Sequence, residues 1–142
     1  ASPAYSDVMD YITIASTGNA ADFGNLLATK ALSMDGTGGS STTRGIIMGG
    51  YAGSAGNVIE YITFANTGNA TDFGDMTSNR QNGGASGNGV RGLGAGGTTG
   101  SNVANIDFIT IATTGNAQDF GDLEGVGTGI NGTSNCHGGL QA

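Results

Sequence analysis

The sequence predicts an all-β fold of three pseudo-symmetric repeats of about 47 residues, and three observations carry that prediction. First, residues 10–26 (DYITIASTGNAADFGNL) return as 60–76 (EYITFANTGNATDFGDM) and as 107–123 (DFITIATTGNAQDFGDL), at offsets of 50 and 47. Self-similarity at a near-fixed period is the signature of a repeat architecture. Second, each copy runs β-branched and aromatic residues into Thr-Gly-Asn, which is turn chemistry, and then into Asp-Phe-Gly. Third, no window sustains a helical period, and only residues 23–34 (FGNLLATKALSM) have room for a turn or two of helix.

Each strong motif therefore reads as a hairpin. In its first arm Ile12 and Ile14 share one face and Tyr11 and Thr13 the other, with neither face strongly polar, as in a sheet covered on both sides. Asp10, Glu60 and Asp107 mark the strand entrance. Gly18, Gly68 and Gly115 are expected to supply a positive φ at the turn. A second, weaker motif precedes or follows each hairpin: RGIIMGG at 44–50, RGLGAGG at 91–97 and CHGG at 136–139. Its Gly-Gly pairs end a short strand where backbones come close.

Because the chain opens on a hairpin and ends on a Gly-Gly segment, the expected domain is one unit over residues 1–142. Its repeats are about 7–50, 51–97 and 98–142, and the C-terminal strand completes the first of them. Closure by pairing of the N- and C-terminal strands removes sheet edges and gives a β-prism or trefoil-like body, or a three-blade propeller-like one.

Composition narrows the function classes. Four Lys+Arg against eleven Asp+Glu give a net charge of −7, which disfavours nucleic acid and anionic membranes as partners. There is no apolar run of membrane-spanning length, and Ala1-Ser2-Pro3 has neither a basic n-region nor an apolar h-region, so no signal peptide is expected. With 29 glycines and nine aromatics among 142 residues, a monomer has a slim stability margin, and a homo-oligomer is expected.

Candidate chemistry is sparse. Cys136 and His137, the single Cys and the single His, point to opposite faces if they lie on a strand, which is poor geometry for a nucleophile and its base. GLGAGG at 92–97 fits a dinucleotide-binding glycine pattern without the strand–helix context it needs. Asp22, Asp72, Asp75, Asp119 and Asp122 are weak Ca²⁺ candidates, since a hard cation wants six to eight oxygens and no full ligand loop is visible. The favoured reading gives Asp22, Asp72 and Asp119 a turn-fixing role through backbone N–H groups. Arg44 and Arg91 are expected to pair with repeat carboxylates of neighbouring units in preference to binding an acidic glycan, since four cations face eleven acids. Tyr11, Tyr61 and Phe108 with Phe23, Phe73 and Phe120 are expected to form the core. No enzyme activity, no catalytic residue and no cofactor are expected.

The run Arg-Gly-x-x-x-Gly-Gly followed by Asp/Glu-Tyr-Ile-Thr-Ile and Thr-Gly-Asn-Ala-x-Asp-Phe-Gly-Asp-Leu resembles the kelch-like repeats of structural and tail-fibre proteins of tailed phages that infect marine cyanobacteria. The usual arginine of that pattern is missing near Lys30. The resemblance implies a virion-surface protein made in the host cytoplasm, a capsid decoration or fibre-type module whose partners are other virion proteins. The alternative is a lectin-like, host-attaching module that binds a cell-surface glycan through the loops at 33–43, 52–57 and 83–90.

Overall fold

The computed structural model describes residues 5–31 and 39–133. Ten strands follow one another with no helix among the described residues: β1 (Ser6–Tyr11), β2 (Ala21–Lys30), β3 (Gly39–Ser40), β4 (Arg44–Met48), β5 (Gly56–Thr63), β6 (Thr71–Arg80), β7 (Gly84–Gly87), β8 (Arg91–Ala95), β9 (Val103–Thr110) and β10 (Gln118–Gly127). They make three antiparallel sheets: β1–β2, the meander β3–β4–β5–β6, and the meander β7–β8–β9–β10.

The expected closure is not found. All three sheets are open, and the described part of the first consists of β1 and β2 alone. The proposed closing segment, including Cys136, His137 and the Gly138-Gly139 pair, lies outside the described residues. Instead of a ring, a series of layers forms the core. Leu26, Ile47 and Ala70, with Met9 and Ile62, fill the space between the first and second sheets. Ile46, Met48, Ile59, Phe73, Met76, Ile109 and Ile111 fill that between the second and third. Strand β4 serves both layers because alternate side chains leave opposite faces: Ile46 and Met48 point one way and Ile47 the other. That double burial explains the unbroken apolar run Ile46-Ile47-Met48. The described residues contain no third layer joining the last sheet back to the first.

The hairpins are present, with different limits from those expected. The first arm starts upstream of the strong motif, and β1 already ends at Tyr11, leaving Ile12 and Ile14 in the connection. The stretch considered for helix is strand β2 as far as Lys30. Each second arm carries the same defect. Met9 faces Gly24 and Asp10 faces Asp22, so Phe23 is an extra residue; Phe73 and Phe120 are extra in the same way. Asp-Phe-Gly is thus a β-bulge, which bends and twists the arm. A wider irregularity follows, in which residues 26–29, 76–79 and 123–126 oppose a single residue of the partner strand. Backbone groups there leave the ladder and need partners elsewhere.

Candidate functional site

The most elaborate chemistry in the molecule lies at the two joints between successive repeats. Each joint has a backbone part and a charged part. In the first joint, the Gly68 N–H donates to Phe23 O (2.7 Å), the Ala70 N–H donates to Asn25 O (2.8 Å), and the Asn25 N–H donates to Asn69 Oδ1 (3.0 Å). The second repeats it atom for atom. Gly115 N–H donates to Phe73 O (2.7 Å), Ala117 N–H to Asp75 O (2.8 Å), and Asp75 N–H to Asn116 Oδ1 (3.1 Å). The Gly-Asn-Ala of one hairpin turn is therefore a clamp laid across the bulged arm of the preceding repeat.

A glycine in that arm makes room for the clamp. A Cβ on Gly74 would stand 2.5 Å from Gly115 C and O, and one on Gly24 would overlap Gly68 O. Both glycines also have φ near +145° and +143°, which L side chains rarely adopt.

The charged part fills the wide irregularity. Glu60 and Asp107 are fully buried (0% exposed). Glu60 forms an ion pair with Lys30 and accepts the Leu27 N–H (2.7 Å). Asp107 pairs with Arg80 Nη2 (2.7 Å) and accepts the Thr77 N–H (3.0 Å) and the Thr77 hydroxyl (2.6 Å). Arg80 Nη1 also donates to Asn105 O (2.7 Å) and Gly96 O (3.3 Å). Each carboxylate therefore satisfies a backbone group that the preceding repeat's irregularity released. Burial of a charge requires this density of partners.

Arg44 and Arg91, expected to pair with carboxylates, do not. Their guanidinium groups lie over Tyr61 (4.5 Å to the ring centroid) and Phe108 (4.9 Å). Arg44 Nη1 also donates to Ile111 O (2.9 Å) and Ala112 O (3.2 Å), tying the second sheet to the third repeat. The pairing cations are Lys30 and Arg80, which sequence reasoning missed. The signal was present: each stands eight residues after the Asp of Asp-Phe-Gly, where the third repeat has Gly127. Asp10, Glu60 and Asp107 are likewise joint ligands or their positional equivalents, not markers of a strand entrance.

The aromatic residues pair within each hairpin. Tyr11–Phe23, Tyr61–Phe73 and Phe108–Phe120 are edge-to-face pairs with centroids 6.0, 6.0 and 5.9 Å apart. Of the six rings only Phe73 is deeply buried (3% exposed), since only the middle repeat has a neighbour on each side; Phe120 at the open end is 54% exposed. Asp72 and Asp119 accept the N–H of Gly74 and Gly121, two residues on, each at 3.2 Å, so the local backbone role falls on the bulge and not on the turn. No three Asp, Glu, His or Cys side chains converge to hold a metal among the described residues, and this holds for the Ca²⁺ candidates Asp22, Asp72, Asp75, Asp119 and Asp122. Of the turn glycines, Gly115 has φ 153°, while Gly18 and Gly68 are not in the positive-φ region. The Gly-Gly pairs at 49–50 and 96–97 do end β4 and β8 with positive φ.

Residues 83–90, expected as a loop, are mostly strand β7 (Gly84–Gly87) and its turn into β8, and a surface groove of about 380 Å³ lies beside them, lined by Ser86, Asn88, Arg91, Phe120 and Thr133. Its polar atoms are partly committed within the chain: Asn88 Oδ1 accepts the Val90 and Arg91 N–H groups, and the Ser86 hydroxyl donates to Thr133 O. Of the other predicted loops, 52–57 is described and carries a tight turn in which the Ala52 N–H donates to Ser54 O. Residues 33–38 lie outside the described part. No protein-family model matches the chain, and no curated protein matches it.

Proposed function

We propose that this chain is a structural module on the surface of a tailed-phage particle, a capsid decoration or fibre element that binds other virion proteins and carries out no catalysis. The observation that supports a structural role most directly is how the cations are used. All four serve the framework: Lys30 and Arg80 hold the joints, and Arg44 and Arg91 cover the hairpin aromatics. The two buried repeat-position acids, Glu60 and Asp107, are spent on fixing one repeat to the next. The placement on a virion rests on the resemblance of the repeat motif to kelch-like phage proteins. Quantitative mass spectrometry of purified particles, calibrated against the major capsid protein, tests it. A fixed ratio of this chain to the capsid protein is the expected result, and no detectable chain in the particles rejects the reading.

The groove beside β7 and the turn that follows it favours a second reading, a glycan-binding attachment module. Phe120 offers an exposed ring for an apolar sugar face, and the Asn88 side chain lines the groove beside it. Saturable binding on a glycan array, lost when Phe120 is replaced by Ala with the fold intact, is the outcome this reading requires.

A further inference from the structure

The two internal joints use one pattern, and each end of the stack carries half of it. At one end, the turn residues Gly18, Asn19 and Ala20 stand where Gly68-Asn69-Ala70 and Gly115-Asn116-Ala117 stand in the later repeats, and no bulged arm among the described residues receives them. The Asn19 side chain makes no hydrogen bond among the described residues. The apolar residues that accompany the clamp are bare: Ile14 is 93% exposed, while its equivalents at the two internal joints, Phe64 and Ile111, are 47% and 1% exposed. At the other end, Phe120, Gly121 and Asp122 of β10 stand where Phe23-Gly24-Asn25 and Phe73-Gly74-Asp75 stand, and no turn among the described residues lies across them. Nothing approaches within 4 Å of the place a Gly121 Cβ would occupy. The φ of +134° at Gly121 accounts for a glycine by itself; the exposed Phe120 and the unclamped arm are what distinguish β10 from β2 and β6.

We infer that β10 is a docking strand for the 18–20 turn of a second copy of this chain, so that copies associate head to tail through a third joint of the internal kind. In that joint the partner copy's Gly18 N–H donates to Phe120 O, its Ala20 N–H donates to Asp122 O, and its Asn19 Oδ1 accepts the Asp122 N–H. Ile12 and Ile14 of that copy cover Phe120 and Leu123, as Ile109 and Ile111 cover Phe73 and Met76. The charged part of this joint is incomplete. Asp10 enters the place of Glu60 and Asp107, but Gly127 occupies the position of Lys30 and Arg80, so the carboxylate meets the Glu124 N–H without a cation. The contact is heterologous, joining the turn end of one copy to the β10 end of the next, and weaker than the internal joints.

Sedimentation velocity on the full chain over about a hundredfold range of concentration tests this. The native chain is expected to show reversible, concentration-dependent association. Asn19→Ala, which removes the acceptor for Asp122, should weaken it about tenfold, and Gly127→Arg, which supplies the missing cation, should tighten it about tenfold or more. A Cβ at Gly127 would meet the end of the Ile130 side chain at 3.0 and 3.3 Å, so that side chain must give by a few tenths of an ångström to admit the arginine. Should Gly127→Arg disturb folding, seen as a changed urea midpoint, the native and Asn19→Ala chains alone decide. Monomer at every concentration for the native and Gly127→Arg chains overturns the inference, and so does association that Asn19→Ala leaves unchanged.

Discussion

Replacing Arg80 by Met tests whether the second joint is held by its buried charges or by packing. Methionine keeps much of the side-chain length and apolar stem and removes the guanidinium. Asp107, fully buried, would keep the Thr77 N–H and hydroxyl and lose its only cation, and Asn105 O would lose a 2.7 Å donor. Removing one partner of a buried pair costs about 3–5 kcal/mol, because the remaining charge is left without compensation in a dry site. With a urea m-value of about 2 kcal/mol/M for a chain of this size, the unfolding midpoint should fall by about 1.5–2.5 M. Asp107→Asn in the Arg80→Met background removes the stranded charge and keeps an acceptor for Thr77, so it should recover about half of the loss. Equilibrium urea unfolding followed by circular dichroism reads both. A midpoint for Arg80→Met within about 0.5 M of the native value, or no recovery in the double variant, would refute the assignment of the joint's strength to the ion pair.

Other substitutions probe the remaining features. Gly74→Ala and Gly121→Ala carry a similar penalty for positive φ, of about 1–3 kcal/mol, but only at Gly74 would the methyl group strike the clamp, so Gly74→Ala should be the more destabilising of the two in urea unfolding. Arg44→Ala removes a stacked guanidinium and two carbonyl partners, and thermal unfolding should register a loss of about 1–2 kcal/mol. Ile59→Ala opens a cavity in the layer between the second and third sheets at a cost of about 2–5 kcal/mol, while Ile14→Ala at the bare end should change monomer stability by less than about 0.5 kcal/mol.

The hairpins and the three-fold repeat were legible in the sequence because they are local: alternation, a turn and a period can be read along one stretch of chain. The bulge was written there too, as Asp-Phe-Gly, but a glycine beside a turn motif reads as part of the turn until the register shows Phe73 to be unpaired. The cations divided less predictably. Arg44 and Arg91 begin the short strands, two residues out of step with Tyr61 and Phe108 across the ladder, and this diagonal places each guanidinium on a ring instead of a carboxylate. Lys30 and Arg80 reach carboxylates some thirty residues away, a relation that no periodicity along the strand expresses. Closure failed as an expectation because the order of motifs says which segment lacks a partner and not whether the chain's ends meet. The layering of Leu26 with Ile47, and of Phe73 with Ile109, runs in series.

The buried joints also set how the molecule responds to dissolved salt. Mobile ions weaken attractions between charges that they can surround, and with a Debye length of about 8 Å at physiological ionic strength they act strongly on exposed pairs. Glu60 and Asp107 are out of their reach, so brine leaves the bonds between repeats intact. The outer surface behaves in the opposite sense. With two of the four cations in the joints and two on aromatic rings, none pairs with an outlying carboxylate among the described residues, and the net charge is −7. Neighbouring copies repel in dilute buffer, and concentrated electrolyte removes that repulsion without softening the interior. A saline medium is therefore the one in which this chain is both internally firm and able to crowd against its own kind.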